Sequence, residues 1–383
     1  MTYPQKIKFF SDPDYLLPGQ RHAQILFPFW GKNPEEPENP VFGRYDRYVE
    51  TGQQFFELVS LEEADVAIFP GETGNWDTMR DSALRFGTAA KAAGKPVIIF
   101  FCADSAEPID IPNCMVFRTS LYKSVHRPGE FAMPSWSEDF VAKYWQGILP
   151  VRPKREKPVV GFCGQPGFLS YRNKLSAALG QVRRAVLRKI GPAETRVELI
   201  ADQAREGPFK GLNPSAPRAK ALLRLSRSSL LETNFIFKSG HFGGAVQADG
   251  KIDPKMLQQA RYDFVENMLA SDYVVCARGG GNFSYRLYET LGGGRIPLFI
   301  NTDCVLPYEN HIDWQRHCVW IEEDEISSID RRLAEFHAKL SPDDFVALQQ
   351  GCRKLWLEWL SPEGFFSKLH LEINDWIKHL QAQ

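Results

Sequence analysis

The chain has 383 residues, with 46 Lys and Arg against 47 Asp and Glu, a net charge of −1, and a 43% hydrophobic and 13% aromatic content. So even a balance excludes a surface built to hold a nucleic-acid backbone, which needs a basic excess, and so apolar a content excludes a disordered scaffold. At about 150 residues per domain the length divides into two, each large enough to bury its own core without a staple.

The N-terminal segment MTYPQKIKFFSDPDYL has no long apolar run and no small-residue cleavage site, so no signal peptide is expected. The most apolar run, Pro96–Ala103 (PVIIFFCA), is far short of the ~20 residues that cross a bilayer. The seven cysteines, from Cys102 to Cys352, are odd in number and scattered, which reads as reduced core residues. The expectation is a cytoplasmic protein, at most peripheral to a membrane.

In chain order, Lys6–Phe10, Ala64–Phe69 and Pro96–Phe101 read as buried parallel strands, with helical periodicity over Asp77–Ala93 between the last two. Gly94 ends that helix. Ile148–Pro158 (ILPVRPKREKP) is rich in Pro, Lys and Arg and reads as a linker. The pattern then restarts: a strand over Val159–Cys163, a basic helix over Tyr171–Ile190, a strand over Tyr273–Ala277, a helix over Phe283–Leu291 and a strand over Ile296–Ile300. Asp343–Leu380 is helical, broken near Pro362, with an apolar face expected to pack back on the rest. The fold class is α/β: two doubly wound Rossmann-like domains, 1–150 and 151–345, facing across a cleft, with helices over 346–383. Ligands of such sheets sit at the carboxyl ends of the strands.

The stretch from Ala270 to Glu325 carries the chemistry. A strand ends at Arg278, the loop Gly279-Gly280-Gly281 follows, and a helix opens near Asn282, with Ser284, Tyr285 and Arg286 in its first turn and Glu289 one turn on. A glycine loop entering a helix presents free N–H groups and the positive end of the dipole. With the two arginines it can cradle a diphosphate, and Glu289 can accept ribose hydroxyls. The same residues also fit a tight turn, a surface arginine and a solvated glutamate, and spacing does not separate the two readings. No Gly-Lys-Ser/Thr follows the loop, and no G-x-G-x-x-G is present.

In order, Cys276, Arg278, Gly279, Ser284, Arg286, Glu289, Gly294, Ile296, Pro297, Leu306, Pro307, Ile312, Trp314, Val319 and Ile321 make a pattern that resembles the exostosin family of glycosyltransferases. Upstream, EEADVAIFP is similar to the family's N-terminal half. Ala277, Arg295 and Tyr308 depart from the pattern, where Pro, a small or apolar residue and Phe are usual. The resemblance implies a GT-B enzyme of bacterial type, metal-independent and inverting, with no cofactor. The nucleotide-sugar, UDP-linked before GDP-linked, would bind the second domain, and a glycan or glycolipid acceptor of a surface polysaccharide or glycoconjugate the first. Arg278, Arg286 and Ser284 would stabilise the leaving diphosphate. A non-catalytic nucleotide-sugar or glycan-binding module, or another GT-B enzyme such as an epimerase, is the alternative.

Gly164 and Gln165, after the first strand of the second domain, are further donor-site candidates, alongside Arg172, Arg183, Arg184 and the loop Lys238–Gly244. The general base is expected in the first half, at predicted strand ends: Glu72 first, then Asp104 and Asp12, with His126 a fourth. Asp12-Pro13-Asp14 is formally an Asp-x-Asp metal motif, read here as coincidence.

Overall fold

The computed structural model describes residues 6–72, 74, 76–167, 215–238, 245 and 252–381. The basic helix expected over 171–190, with Arg172, Arg183 and Arg184, and the loop residues 239–244 lie outside the described residues.

The first half builds one six-stranded sheet from β1 (Ile7–Phe10), β2 (Phe56–Leu58), β3 (Val66–Ile68), β4 (Val97–Phe101), β5 (Cys114–Arg118) and β6 (Glu130–Ala132). Its order is β2-β1-β3-β4-β5-β6, and every neighbouring pair is parallel. Every residue of β3, β4 and β5 is buried, which is why VIIFF is apolar without alternation: both faces of a parallel sheet are covered. The short helices α1 (Phe27–Trp30) and α2 (Asp46–Thr51) lie between β1 and β2, and α3 (Trp76–Ala92) lies between β3 and β4. Along α3, Trp76, Met79, Ala83, Phe86 and Ala90 are buried at helical spacing and pack on Phe69, Ile99 and Phe101.

The second half repeats the plan with β7 (Val159–Gly164), β8 (Glu232–Phe237), β9 (Tyr273–Cys276), β10 (Ile296–Asn301) and β11 (Val319–Glu322). The order is β11-β10-β9-β7-β8, again all parallel. Helix α4 (Phe140–Tyr144) precedes this half in sequence but packs on it, with Phe140 against Met268 and Val274. Then come α5 (Ala216–Ser226), α6 (Pro254–Leu269), α7 (Tyr285–Gly292), α8 (Ile329–Lys339), α9 (Pro342–Leu355) and α10 (Pro362–Gln381).

The proline-rich connection before β7 has no regular structure, yet it is held firmly. Arg152 pairs with Asp272 at 2.6 Å and exchanges backbone bonds with the Gln349 amide, both at 2.9 Å. Arg295, fully buried, donates to the carbonyls of Pro150, Met268, Leu269 and Gly294 at 2.8–3.2 Å. This explains the departure at that position: a cation sits where α6 and α7 both end and their carbonyls converge.

The two sheets meet at the carboxyl ends of their strands. Past β5, Tyr122 forms an antiparallel bridge with Cys304, past β10. One hydrophobic cluster runs through both halves, and α10 returns to the first sheet. There Phe366 stacks on Tyr48 at 4.4 Å, Phe365 sets its edge on Phe117 at 6.0 Å, and Trp376 meets Phe131 at 6.4 Å. Among the described residues, no helix is long and apolar enough to cross a membrane.

Candidate functional site

In each sheet the chain order reverses once, between β1 and β3 in the first and between β7 and β9 in the second. A crevice opens at such a point, outside the carboxyl ends of the two strands. In the second sheet those ends carry Gly164 and Gln165 on one side, Arg278 and the glycine loop on the other.

Arg218 and Arg286 meet here, and Arg278 stands beside the glycine loop. Arg286, in the first turn of α7, donates Nη2 to the Cys163 carbonyl at 2.7 Å and lies over the Phe162 ring at 4.3 Å. Arg218, on α5, spans the crevice, donating Nη1 to the Gln165 carbonyl at 3.1 Å and Nη2 to that of Ala277 at 3.2 Å. Arg278 donates to the Tyr122 hydroxyl at 2.6 Å and to the Gly280 carbonyl at 3.1 Å. In all three, Nε is buried with no partner. Among the described residues, none of the three has a salt bridge to a carboxylate. Burial, with Arg286 beside it, pulls the Arg218 guanidinium down to about 9, and burial lowers that of Arg286 as well. Buried donors left unpaired are costly, of the order of 1–3 kcal/mol each.

Gly164 has φ 144°, and a Cβ there would stand 2.8 Å from Nη2 of Arg286, so the close approach requires glycine. Two glycines of the loop also make a contact with the first half. A Cβ on Gly280 or Gly281 would come within 2.5 or 2.7 Å of the Asp104 carboxylate, so both residues let a loop of the first half lie against the second. Asn282 is 2% exposed and fully engaged: its N–H donates to Ser120, its amide nitrogen to Leu121 and Asp303, and its amide oxygen accepts from Thr302. It fastens the loop and offers no free group. Ser284 is the N-cap of α7 in position only, since its hydroxyl makes no capping bond and stays available at the helix start. Tyr285 stands exposed beside Phe283.

Glu289 is buried and already paired. Its Oε1 accepts from Arg261 at 2.8 Å, and Arg261 grips Glu138 with two further bonds of 2.8 and 2.6 Å. One carboxylate oxygen of Glu289 stays free for a hydroxyl.

At the reversal point of the first sheet, Glu72 follows β3 and is tied through its backbone to Arg21 at 3.0 Å. Burial pushes its carboxyl above the ordinary range, partly offset by Arg21 and Arg44. Arg44 donates to the Trp136 carbonyl at 3.0 Å, and its buried Nε has no partner. Asp104, exposed, lies on the glycine loop. Asp12 is occupied elsewhere: its carboxylate accepts from the Asp14 N–H at 2.9 Å and caps the turn Pro13–Tyr15. The His126 ring bonds the Glu130 carbonyl at 2.8 Å. Among the described residues, no three His, Cys, Asp or Glu side chains gather as a metal site would require.

The exostosin GT47 domain model matches residues 223–336, which run from the end of α5 into α8 and include the whole glycine-loop segment. Over this segment the chain is similar to the exostosin family. Exostosin-1 of Drosophila melanogaster is 27% identical over 108 residues, 28% of this chain and 14% of its own. A probable glucuronosyltransferase of Oryza sativa subsp. japonica is 33% identical over 70 residues, 18% of this chain and 17% of its own. The alignments thus span under a fifth of either relative's length. A solved glycosyltransferase from Rickettsia africae overlays with a TM-score of 0.33 and 11% identity, over 91% of this chain and 84% of that one. The α/β class rests on the two parallel sheets themselves.

The exostosin segment contains Arg278, Ser284, Arg286 and Glu289, but three participants escape a reading by motif. Arg218 lies just before the matched residues, in an ordinary amphipathic helix (APRAKALLRLS) whose arginines look alike in sequence. Tyr122 comes from the other half. Arg261 sits mid-helix, and only its contact with two carboxylates marks it.

Proposed function

We propose that the protein is an inverting, metal-independent glycosyltransferase that takes its sugar from a nucleoside-diphosphate donor, UDP-linked before GDP-linked. The carrying observation is the pair Arg218 and Arg286 at the second reversal point, with Arg278 beside the glycine loop, each with an unpaired Nε and none with a carboxylate partner among the described residues. The exostosin segment supports the reaction class. A diphosphate seated there accepts charge-assisted bonds from Arg218, Arg278 and Arg286, with the Ser284 hydroxyl and the α7 N–H groups at its edge. Those donors stabilise the charge that develops as the diphosphate leaves, the part a divalent cation plays in other transferases. Glu289 holds a ribose hydroxyl through its free oxygen. Glu72 takes the proton of the acceptor hydroxyl, because its raised carboxyl is a better base than an ordinary one. The proposed acceptor is a bacterial surface glycan or glycolipid met on the cytoplasmic side; seven free cysteines, six of them buried, accord with a reducing compartment.

The test is a thermal-shift series with UDP, GDP, CDP and dTDP in EDTA, since a ligand bound only to the folded state raises apparent stability by mass action. A shift with one diphosphate, lost in Arg218→Ala and Arg286→Ala, is expected. No shift with any of them would overturn the donor assignment.

A further inference from the structure

Beyond the arginine site, the two halves enclose a crevice of about 240 Å³. One wall is a single face of α6, where Lys255, Gln258 and Tyr262 recur at helical spacing. The other is Lys143 and Tyr144 of α4 with the loop 37–40. The Tyr144 and Tyr262 rings meet edge to face at 6.1 Å, so Tyr262, 46% exposed, keeps a free ring face. Tyr144 is fixed by donating its hydroxyl to Glu138 at 2.9 Å.

Arg261 also lines the crevice, but its guanidinium is committed to Glu138 and Glu289. A phosphate entering here meets no uncommitted guanidinium. A sugar ring meets a suitable lining: an aromatic face for its C–H groups, an amide that donates and accepts, and ammonium donors at the rim. The volume is below the ~300–1,000 Å³ of sites for drug-sized ligands, and suits one ring. Arg261 leads directly to Glu289, one turn from Arg286 on the donor helix.

We infer that this crevice binds one sugar ring of the acceptor glycan, beyond the ring that reacts. The inference rests on the transferase reading for the word acceptor, and on the crevice alone for the sugar.

The test compares the wild type with Tyr262→Ala and Gln258→Ala, two residues outside the donor site. The probe is a glycan microarray of neutral and acidic oligosaccharides, short and long, with the UDP thermal shift measured in parallel. The wild type retains a subset of the longer glycans, and each variant loses that retention by about tenfold with its UDP shift unchanged. Unchanged glycan retention in both variants, or a wild type that retains none, would overturn the inference. So would a UDP shift lost in Tyr262→Ala, which makes the crevice a nucleobase pocket. Glycan retention that depends on Tyr262 in a protein that binds no nucleotide upholds the crevice and defeats only the transferase reading.

Discussion

Arg218 and Arg286 each combine a structural duty with an unfinished one. Their Nη groups hold carbonyls on both sides of the strand reversal, while Nε is buried with no partner among the described residues. Arg218→Ala and Arg286→Ala should each lower kcat/KM by 10²–10³, about 2.7–4 kcal/mol, as measured by steady-state rates. Arg218→Lys should not restore the rate, because a single ammonium cannot span two carbonyls and a phosphate. Glu72 makes a prediction of opposite sign for stability and activity. Its folded carboxyl is raised, so the folded state holds the proton to higher pH than the unfolded chain does, and stability declines as pH rises through that range. Glu72→Gln should therefore raise Tm at neutral pH while abolishing turnover and sparing UDP affinity. The acid limb of the wild-type rate profile should lie above the usual carboxylate range, and a limb near the ordinary glutamate value would remove Glu72 as the base. At this scale the sequence supplied residue types and their order, but not which arginine has no carboxylate partner among the described residues.

Among elements, α10 and the ion-pair cluster at α6 do the joining. Phe366 is 1% exposed and meets Tyr48, Phe100 and Trp136, all in the first half. Phe366→Ala should cost ~3–5 kcal/mol by the large-to-small rule, read as a drop in the denaturant midpoint. Arg261→Ala leaves Glu138 and Glu289 buried and facing each other, and should cost a similar ~3–5 kcal/mol. Complete burial made some strands readable from sequence, though not β5 (CMVFR), equally buried but ending in Arg118. VIIFF, ADVAIF and YVVCA are apolar on both faces and fall on β4, β3 and β9. Strands β2 and β6 have three residues each, too few to show a period, and the edge strand β8 (ETNFIF) has no fully buried residue to mark it.

For the whole molecule, the proposed mechanism places arginines where another transferase places a cation. Activity in excess EDTA should match that without it, and a strict need for Mn²⁺ or Mg²⁺ would overturn the metal-independent reading. The sequence by itself determined the α/β class, the split into two strand-rich halves and the exostosin segment, because buried strands and a glycine loop entering a helix are written in contiguous residues. Only the tertiary structure decided that Gly280 and Gly281 are contacts for Asp104, that Asn282 is a fastener, and that Arg218, Tyr122 and Arg261 contact residues of the candidate site. Those roles depend on which side chains meet across the cleft between two sheets. Side chains 156 residues apart, as Tyr122 and Arg278 are, share no local pattern that a sequence could carry.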